Sequence, residues 1–162
     1  MSKVTVNQQI VPFLWFDGNA EEAMNFYTSV FPDSEILLAK KWGDGTPFPA
    51  NWIMAGAINL NGLKVHLFDA GPQFKFNEAV SFFVNCETQE EIDTYWTKLI
   101  AGGSEGQCGW LKDKFGLSWQ VTPTRLIELI SDKDAKKAQR AMDAMMKMRK
   151  IIIADIEKAA AG

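Results

Sequence analysis

Ile10-Val11-Pro12-Phe13-Leu14-Trp15-Phe16-Asp17-Gly18-Asn19-Ala20-Glu21-Glu22-Ala23 decides the fold, because its pattern recurs once further along the chain. Ile10 to Phe16 is continuously apolar and predicts a strand covered on both faces. Asp17-Gly18 ends the strand, and Asn19 offers a helix N-cap with Glu22 completing a capping box. Ala23, Met24, Tyr27, Val30 and Phe31 then follow at helical spacing. Phe31-Pro32 stops the helix, since the residue before a proline avoids the α region.

Three strands are expected next: Ser34–Lys41, Asn51–Leu60 and Leu63–Asp69. A Gly- and Pro-rich loop from Gly43 to Pro49 separates the first two. Asn61-Gly62 joins the last two as a hairpin turn, whose two residues both need positive φ. The order then restarts. Ala79–Cys86 reads as a strand, and Thr88 with Glu91 as a capping box. Ile92, Tyr95, Trp96, Leu99 and Ile100 form a helical stripe that Gly102-Gly103 ends. A short strand near Ser104–Gly106 and strands at Gln107–Leu111 and Leu117–Thr122 complete the set.

Laying the second half on the first at a shift of 69 superposes Phe13 on Phe82, Glu21-Glu22 on Glu90-Glu91, Thr28 on Thr97 and Tyr27 on Trp96. This is an internal repeat of a βαβββ unit. One unit alone leaves a sheet face bare, and two can cover it. The expected fold is therefore α+β: paired βαβββ modules forming a curved mixed sheet around a cup, with a C-terminal helical tail. The expected limits are one domain over 1–162, with modules at 8–70 and 78–122 and the tail at 123–162. In the tail, Pro123 to Ile130 forms a short turn or helix. Ser131 with Asp134 caps a longer helix lined by Ala138, Ala141, Met142, Met145 and Met148. Such a stripe packs on its own domain or on a partner subunit, since Met fits irregular surfaces.

The chain has 162 residues, 47% of them hydrophobic and 23% charged, so it can build a core without disulfides or a structural metal. Net charge is −3 and no basic footprint is visible, which argues against nucleic-acid binding. Cys86 and Cys108 form no CxxC pair and read as two reduced thiols. No signal-like leader and no apolar run of bilayer length is present, so a cytoplasmic protein without a membrane partner is expected.

Pro12-Phe13-Leu14-Trp15-Phe16-Asp17-Gly18-Asn19-Ala20-Glu21-Glu22-Ala23, running on to Phe26-Tyr27, resembles the opening of the PhnB-like branch of the vicinal-oxygen-chelate (glyoxalase and bleomycin-resistance) superfamily. Cys108-Gly109-Trp110-Leu111-Lys112-Asp113-Lys114-Phe115-Gly116-Leu117-Ser118-Trp119-Gln120 resembles that branch's final hairpin, with Asp-x-Phe-Gly at its turn. The Met-rich tail resembles the same branch. The branch carries a 3-demethylubiquinone 3-methyltransferase-like label. The chain has no Gly-rich nucleotide-binding turn to support methyl-donor chemistry of the doubly wound kind. The resemblance also implies a homodimer.

Superfamily enzymes hold a divalent metal with His and Glu side chains at the first and last strand of each module. Those positions fall here on Pro12, near His66, on Ala79 or Ser81, and on Gln120. Pro and Ala cannot ligate through a side chain, and Ser and Gln are poor partners for transition metals. No metal and no cofactor is therefore expected. His66, the chain's single histidine, reads as a cup-wall residue with a hydrogen-bonded ring or as a general base or substrate anchor. Gln120 reads as a ligand-orienting amide or a satisfied strand amide. Trp42 and Trp52 flank the Gly/Pro loop, and the tryptophans read as core filler or as stacking surfaces. Cys108 lacks a nearby base for nucleophilic work. Lys112, Asp113 and Lys114 read as turn residues.

The expected ligand-binding set is Trp15, Trp52, His66, Phe68, Ser81, Trp110 and Gln120. The expected function is binding of a small apolar or aromatic molecule with the reaction unknown. The alternative is a metal-independent lyase, isomerase or transferase, including the methyltransferase-like label, with His66 as catalytic base. An interaction protein using its dimer surface and Met-lined tail is the third reading.

Overall fold

The computed structural model describes residues 8–162, so the first seven residues of the expected 1–162 domain lie outside the described residues. The elements run β1 (Phe13–Phe16), α1 (Ala20–Val30), β2 (Glu35–Lys41), β3 (Ile53–Leu60), β4 (Leu63–Asp69), β5 (Ser81–Cys86), α2 (Gln89–Leu99), β6 (Ser104–Glu105), β7 (Trp110–Lys112), β8 (Ser118–Pro123), α3 (Thr124–Ile130), α4 (Ala135–Met145) and α5 (Ile153–Ala161). Two compact units divide between Lys75 and Phe76.

Each unit closes its own four-stranded mixed sheet, ordered β1-β4-β3-β2 in the first and β5-β8-β7-β6 in the second. In both, the opening strand runs parallel to the last, and the other pairs are antiparallel. The repeat holds to the residue in its helices: α1 and α2 are both 11 residues long and begin at Ala20 and Gln89, the same shift of 69. This is the expected α+β architecture of βαβββ modules with a C-terminal helical tail.

In the first unit, Ala23, Met24, Tyr27 and Val30 of α1 are buried with Leu14, Phe16, Ile53, Val65 and Leu67 of the sheet. Each large side chain so removed from water contributes about 1.5–3 kcal/mol. β1 departs from expectation. Burial alternates along it, with Leu14 and Phe16 buried but Phe13 59% exposed. Its start also moves from Ile10 to Phe13. An all-apolar strand here fills a core with alternate residues and presents the rest on an open face.

The cap of α1 also differs. Asn19 makes no side-chain cap bond. The buried carboxylate of Asp69 on β4 takes that place, its Oδ1 accepting from the Ala20 N–H at 3.0 Å. Its Oδ2 accepts from the Ile53 N–H at 2.8 Å and so ties β3 to the same point. At α2 the capping box of Thr88 and Glu91 forms as expected. Asn61 and Gly62 both have positive φ, as a tight hairpin turn demands.

In the tail, Asp134 alone caps α4 through its bonds from the Lys136 and Lys137 N–H groups. The chain then forms α5, which the alanine-rich end did not announce. Leu126, Leu129, Ala141, Ile151, Ile156 and Ala160 make a small core, with Met145 and Met148 packed against it. The Met side of the helix thus packs within its own unit. Gln89 of α2 anchors the tail, its Nε2 donating to Ile151 O and its Oε1 accepting from the Ile153 N–H. The Cys108 and Gly109 N–H groups add bonds to Met148 O and Arg149 O. Among the described residues no helix is long and apolar enough to cross a membrane.

Candidate functional site

The open sheet face of the first unit is aromatic. The register sets Phe13 beside His66 and Trp15 beside Phe68. Phe68 stands edge-on to Phe13 and to Trp15, with centroids 5.0 and 4.8 Å apart, and Phe74 lies 4.9 Å from Trp15. The Trp15 indole donates to Gly71 O at 2.7 Å, which fixes its plane. The sequence-predicted residues Trp15, His66 and Phe68 are therefore brought together. Trp52 is not part of this cluster. It stacks with Phe48, which in turn packs against Trp42, and it lies so close over Gly18 that a Cβ there would sit 2.7 Å from its ring. The Trp42 indole donates to Asp69 O. Trp52 thus locks the Gly/Pro loop to the β1–α1 turn.

His66 is half-buried, with Phe13 edge-on at 6.2 Å. Its backbone N–H donates to Pro12 O. Among the described residues no hydrogen bond reaches either ring nitrogen.

The open face of the second unit carries the other predicted residues. β8 buries Trp119 and Val121 toward α2 and turns Ser118 and Gln120 the other way. Gln120 pairs in register with Phe83 on one side and Trp110 on the other. Its Nε2 donates to Ser81 Oγ at 2.9 Å. Ser81, Trp110 and Gln120 are thus also neighbours.

The donor chemistry at the four carried-over positions does not fit a divalent transition ion. Within the second unit, Ser81 and Gln120 are neutral and bonded to each other. Within the first, Pro12 offers no side-chain donor beside His66. Thiolate, imidazole and carboxylate groups are what such ions select, and no group of three or more His, Cys, Asp or Glu side chains converges among the described residues.

The Asp113 carboxylate organises the turn between β7 and β8. Asp113 Oδ1 accepts from the Phe115 and Leu117 N–H groups, and Oδ2 accepts from the Trp119 indole at 2.8 Å. Gly116 supplies the positive φ that closes the turn. Both cysteines are free thiols. Burial pushes the Cys86 thiol up to about 12, with Glu91 adding to it. Iodoacetamide at about pH 8 is therefore expected to modify the half-buried Cys108 in native protein and leave Cys86 untouched, as peptide mass mapping would read. Labelling of both thiols without denaturant would contradict the packing of α2 on β5.

Sequence reading missed Ser118, Phe83 and Glu78 on this second face. Period-two counting back from Gln120 reaches Ser118, strand register brings in Phe83, and the ion pair with Lys112 brings in Glu78.

The family profile of 3-demethylubiquinone-9 3-methyltransferase matches residues 8–122. Residues 123–162 lie beyond it, so the expected resemblance of the tail is no part of that match. A Bacillus cereus PhnB protein, described as a 3-demethylubiquinone-9 3-methyltransferase, is 40% identical over 72% of this chain and 100% of its own, with a TM-score of 0.69. The protein PA1353 from Pseudomonas aeruginosa shares the fold at 24% identity, over 72% of this chain and 98% of its own, with a TM-score of 0.62. The fosfomycin resistance protein FosX from Listeria monocytogenes, solved with Mn(II) and a dihydroxypropylphosphonic acid, shares it at 12% identity, over 71% and 90%, with a TM-score of 0.51. No curated protein matches the chain. A duplicated βαβββ unit, a matching profile over both modules and a 40% identical relative covered end to end agree: the chain belongs to the PhnB-like 3-demethylubiquinone-9 3-methyltransferase family of the vicinal-oxygen-chelate superfamily.

Proposed function

We propose that the chain, a single domain with modules at 8–70 and 78–122 and a tail at 123–162, binds a small apolar or aromatic molecule without a metal. The observation that carries this reading is the Gln120–Ser81 hydrogen bond, a neutral pair in the region where the resemblance places metal ligands, on Gln120 and on Ala79 or Ser81. The aromatic cluster of Trp15, Phe68, Phe13 and Phe74 supports it, because an open apolar face suits a planar compound. Trp110 and His66 border these faces, whereas Trp52 acts through the loop it locks. The His66 ring, with no hydrogen bond among the described residues, favours binding over the alternative of a metal-independent lyase, isomerase or transferase. The methyltransferase label draws no support from the folding topology, which has two mixed four-stranded sheets rather than one doubly wound parallel sheet.

The protein is proposed to be a cytoplasmic homodimer. Ile36, Leu37 and Leu38 support assembly, since they leave 40–48% of their surface exposed on edge strand β2. Native mass spectrometry of protein taken straight from cells tests both points. The expected spectrum shows dimer mass plus a small organic adduct lost on activation. A bare monomer, or a stoichiometric transition ion, would overturn the reading.

A further inference from the structure

Strand register lays two rows across the open face of the second unit. The first row is Ser81, Ser118, Lys112 and Ser104, and the second is Phe83, Gln120 and Trp110. One row is polar throughout, and the neighbouring row sets two aromatic rings about one amide. Beside them lies a cavity of about 250 Å³, lined among others by Glu78, Gly106, Trp110, Lys112 and Ser118.

Ser118 is 1% exposed, and its hydroxyl has no hydrogen-bond partner among the described residues. A buried hydroxyl left unpaired is costly, and such groups ordinarily find a partner. Ser118 is nonetheless among the residues that line the cavity, so its hydroxyl lies just beneath the cavity wall. Lys112 stands directly opposite it in the antiparallel register, a separation that lets both side chains reach one group. The Lys112 ammonium is held meanwhile by Glu78 at 2.6 Å. That carboxylate is 65% exposed, and exposed ion pairs are weak and exchange readily. Gly106 keeps the floor low, since a Cβ there would lie 2.8 Å from Trp110 O.

We infer that this cavity binds a small aromatic carboxylate, its acid group on Ser118 and Lys112 and its ring against Trp110. The inference rests on the small-molecule reading above and names the class of compound and the end of the site that selects it. The ligand's carboxylate replaces that of Glu78 on Lys112, so the ammonium keeps a counter-charge throughout. Ser118 gains the acceptor it lacks. The planar body covers Trp110 while Gln120, already engaged with Ser81, forms the far edge. A cationic or hydroxylated compound without an acid would leave the Lys112–Glu78 pair closed over the polar row.

Titration of the full chain with benzoate, benzamide and benzylamine, followed by backbone and indole NMR signals, tests this. Benzoate is expected to shift Ser118, Lys112 and the Trp110 indole, and to bind more tightly than the other two. Lys112→Met is expected to weaken benzoate about tenfold, and Ser118→Ala about threefold, with benzamide unchanged. Glu78→Gln is expected to tighten benzoate by about threefold, because a competitor is removed. Ser118→Ala removes an unpaired buried group, so its thermal midpoint should hold or rise, which excludes misfolding as the cause of weaker binding. Benzamide binding as tightly as benzoate would overturn the acid class and leave the small-molecule reading standing. Absence of any shift at these residues with all three probes would overturn the site itself. The small-molecule reading would fall separately, with a bare monomer or a transition ion in the native mass spectrum.

Discussion

Asp113→Ala should unfold the protein far more readily than any surface change, lowering its stability by about 4 kcal/mol. The carboxylate is 3% exposed and serves the Phe115 and Leu117 N–H groups through one oxygen and the Trp119 indole through the other. Alanine strands three donors at once, and each buried donor left without an acceptor costs about 1–3 kcal/mol. Trp119 is itself 2% exposed, so its indole has no route to water. For a chain of this size the thermal midpoint should fall by roughly 10 °C. Asp113→Asn separates the two oxygens. It can keep the backbone bonds at Oδ1 but then sets an amide donor against the indole donor, so about half the loss is expected. A midpoint unchanged in both variants would mean that the turn holds without its carboxylate. Because the turn joins β7 to β8, it also sets the register of Lys112 against Ser118.

Asp69→Ala is the corresponding change in the first unit, with an expected cost of about 3 kcal/mol. Two backbone N–H groups, of Ala20 and Ile53, lose their acceptor in a site where Asp69 is 1% exposed. The first residue of α1 also loses a negative charge at the positive end of the helix, an interaction of about 0.3–1 kcal/mol or more when partly buried. Urea unfolding followed by far-ultraviolet circular dichroism reads the loss as a lower midpoint with an unchanged slope. Asp69→Asn should recover only part of it, since one backbone donor then faces an amide N–H. Equal stability of Asp69→Ala and the parent chain would show that Asn19 takes over the cap.

The two carboxylates were unequally visible in the sequence. Asp113 sits in an Asp-x-Phe-Gly turn whose local geometry is readable, because its first two partners are two and four residues away. Asp69 ends a strand, and nothing near it marks it as the cap of a helix 49 residues earlier. Asn19 looked like the cap because Asn is a good cap residue, yet its side chain makes no such bond. The same division holds at the candidate site. Trp15 and Phe68 were legible as aromatic strand residues, and register then made them neighbours. Trp52 was drawn off by a loop packing that the sequence does not encode at short range. Lys112 read as a turn residue because of its neighbours, although it closes a strand opposite Ser118.

The sequence by itself determined the duplicated βαβββ order, the two helices of equal length, the Asn61-Gly62 hairpin and the α2 capping box. These follow from period, turn chemistry and residue type, which act over a few residues. Only the tertiary structure decided which strand faces stay open, that Asp69 caps α1, that Gln89 anchors the tail, and that the Ser118 hydroxyl, between Ser81 and Lys112, has no hydrogen-bond partner among the described residues. Most of those relations join residues tens of positions apart, and they exist only once strand register and helix packing have fixed which groups meet.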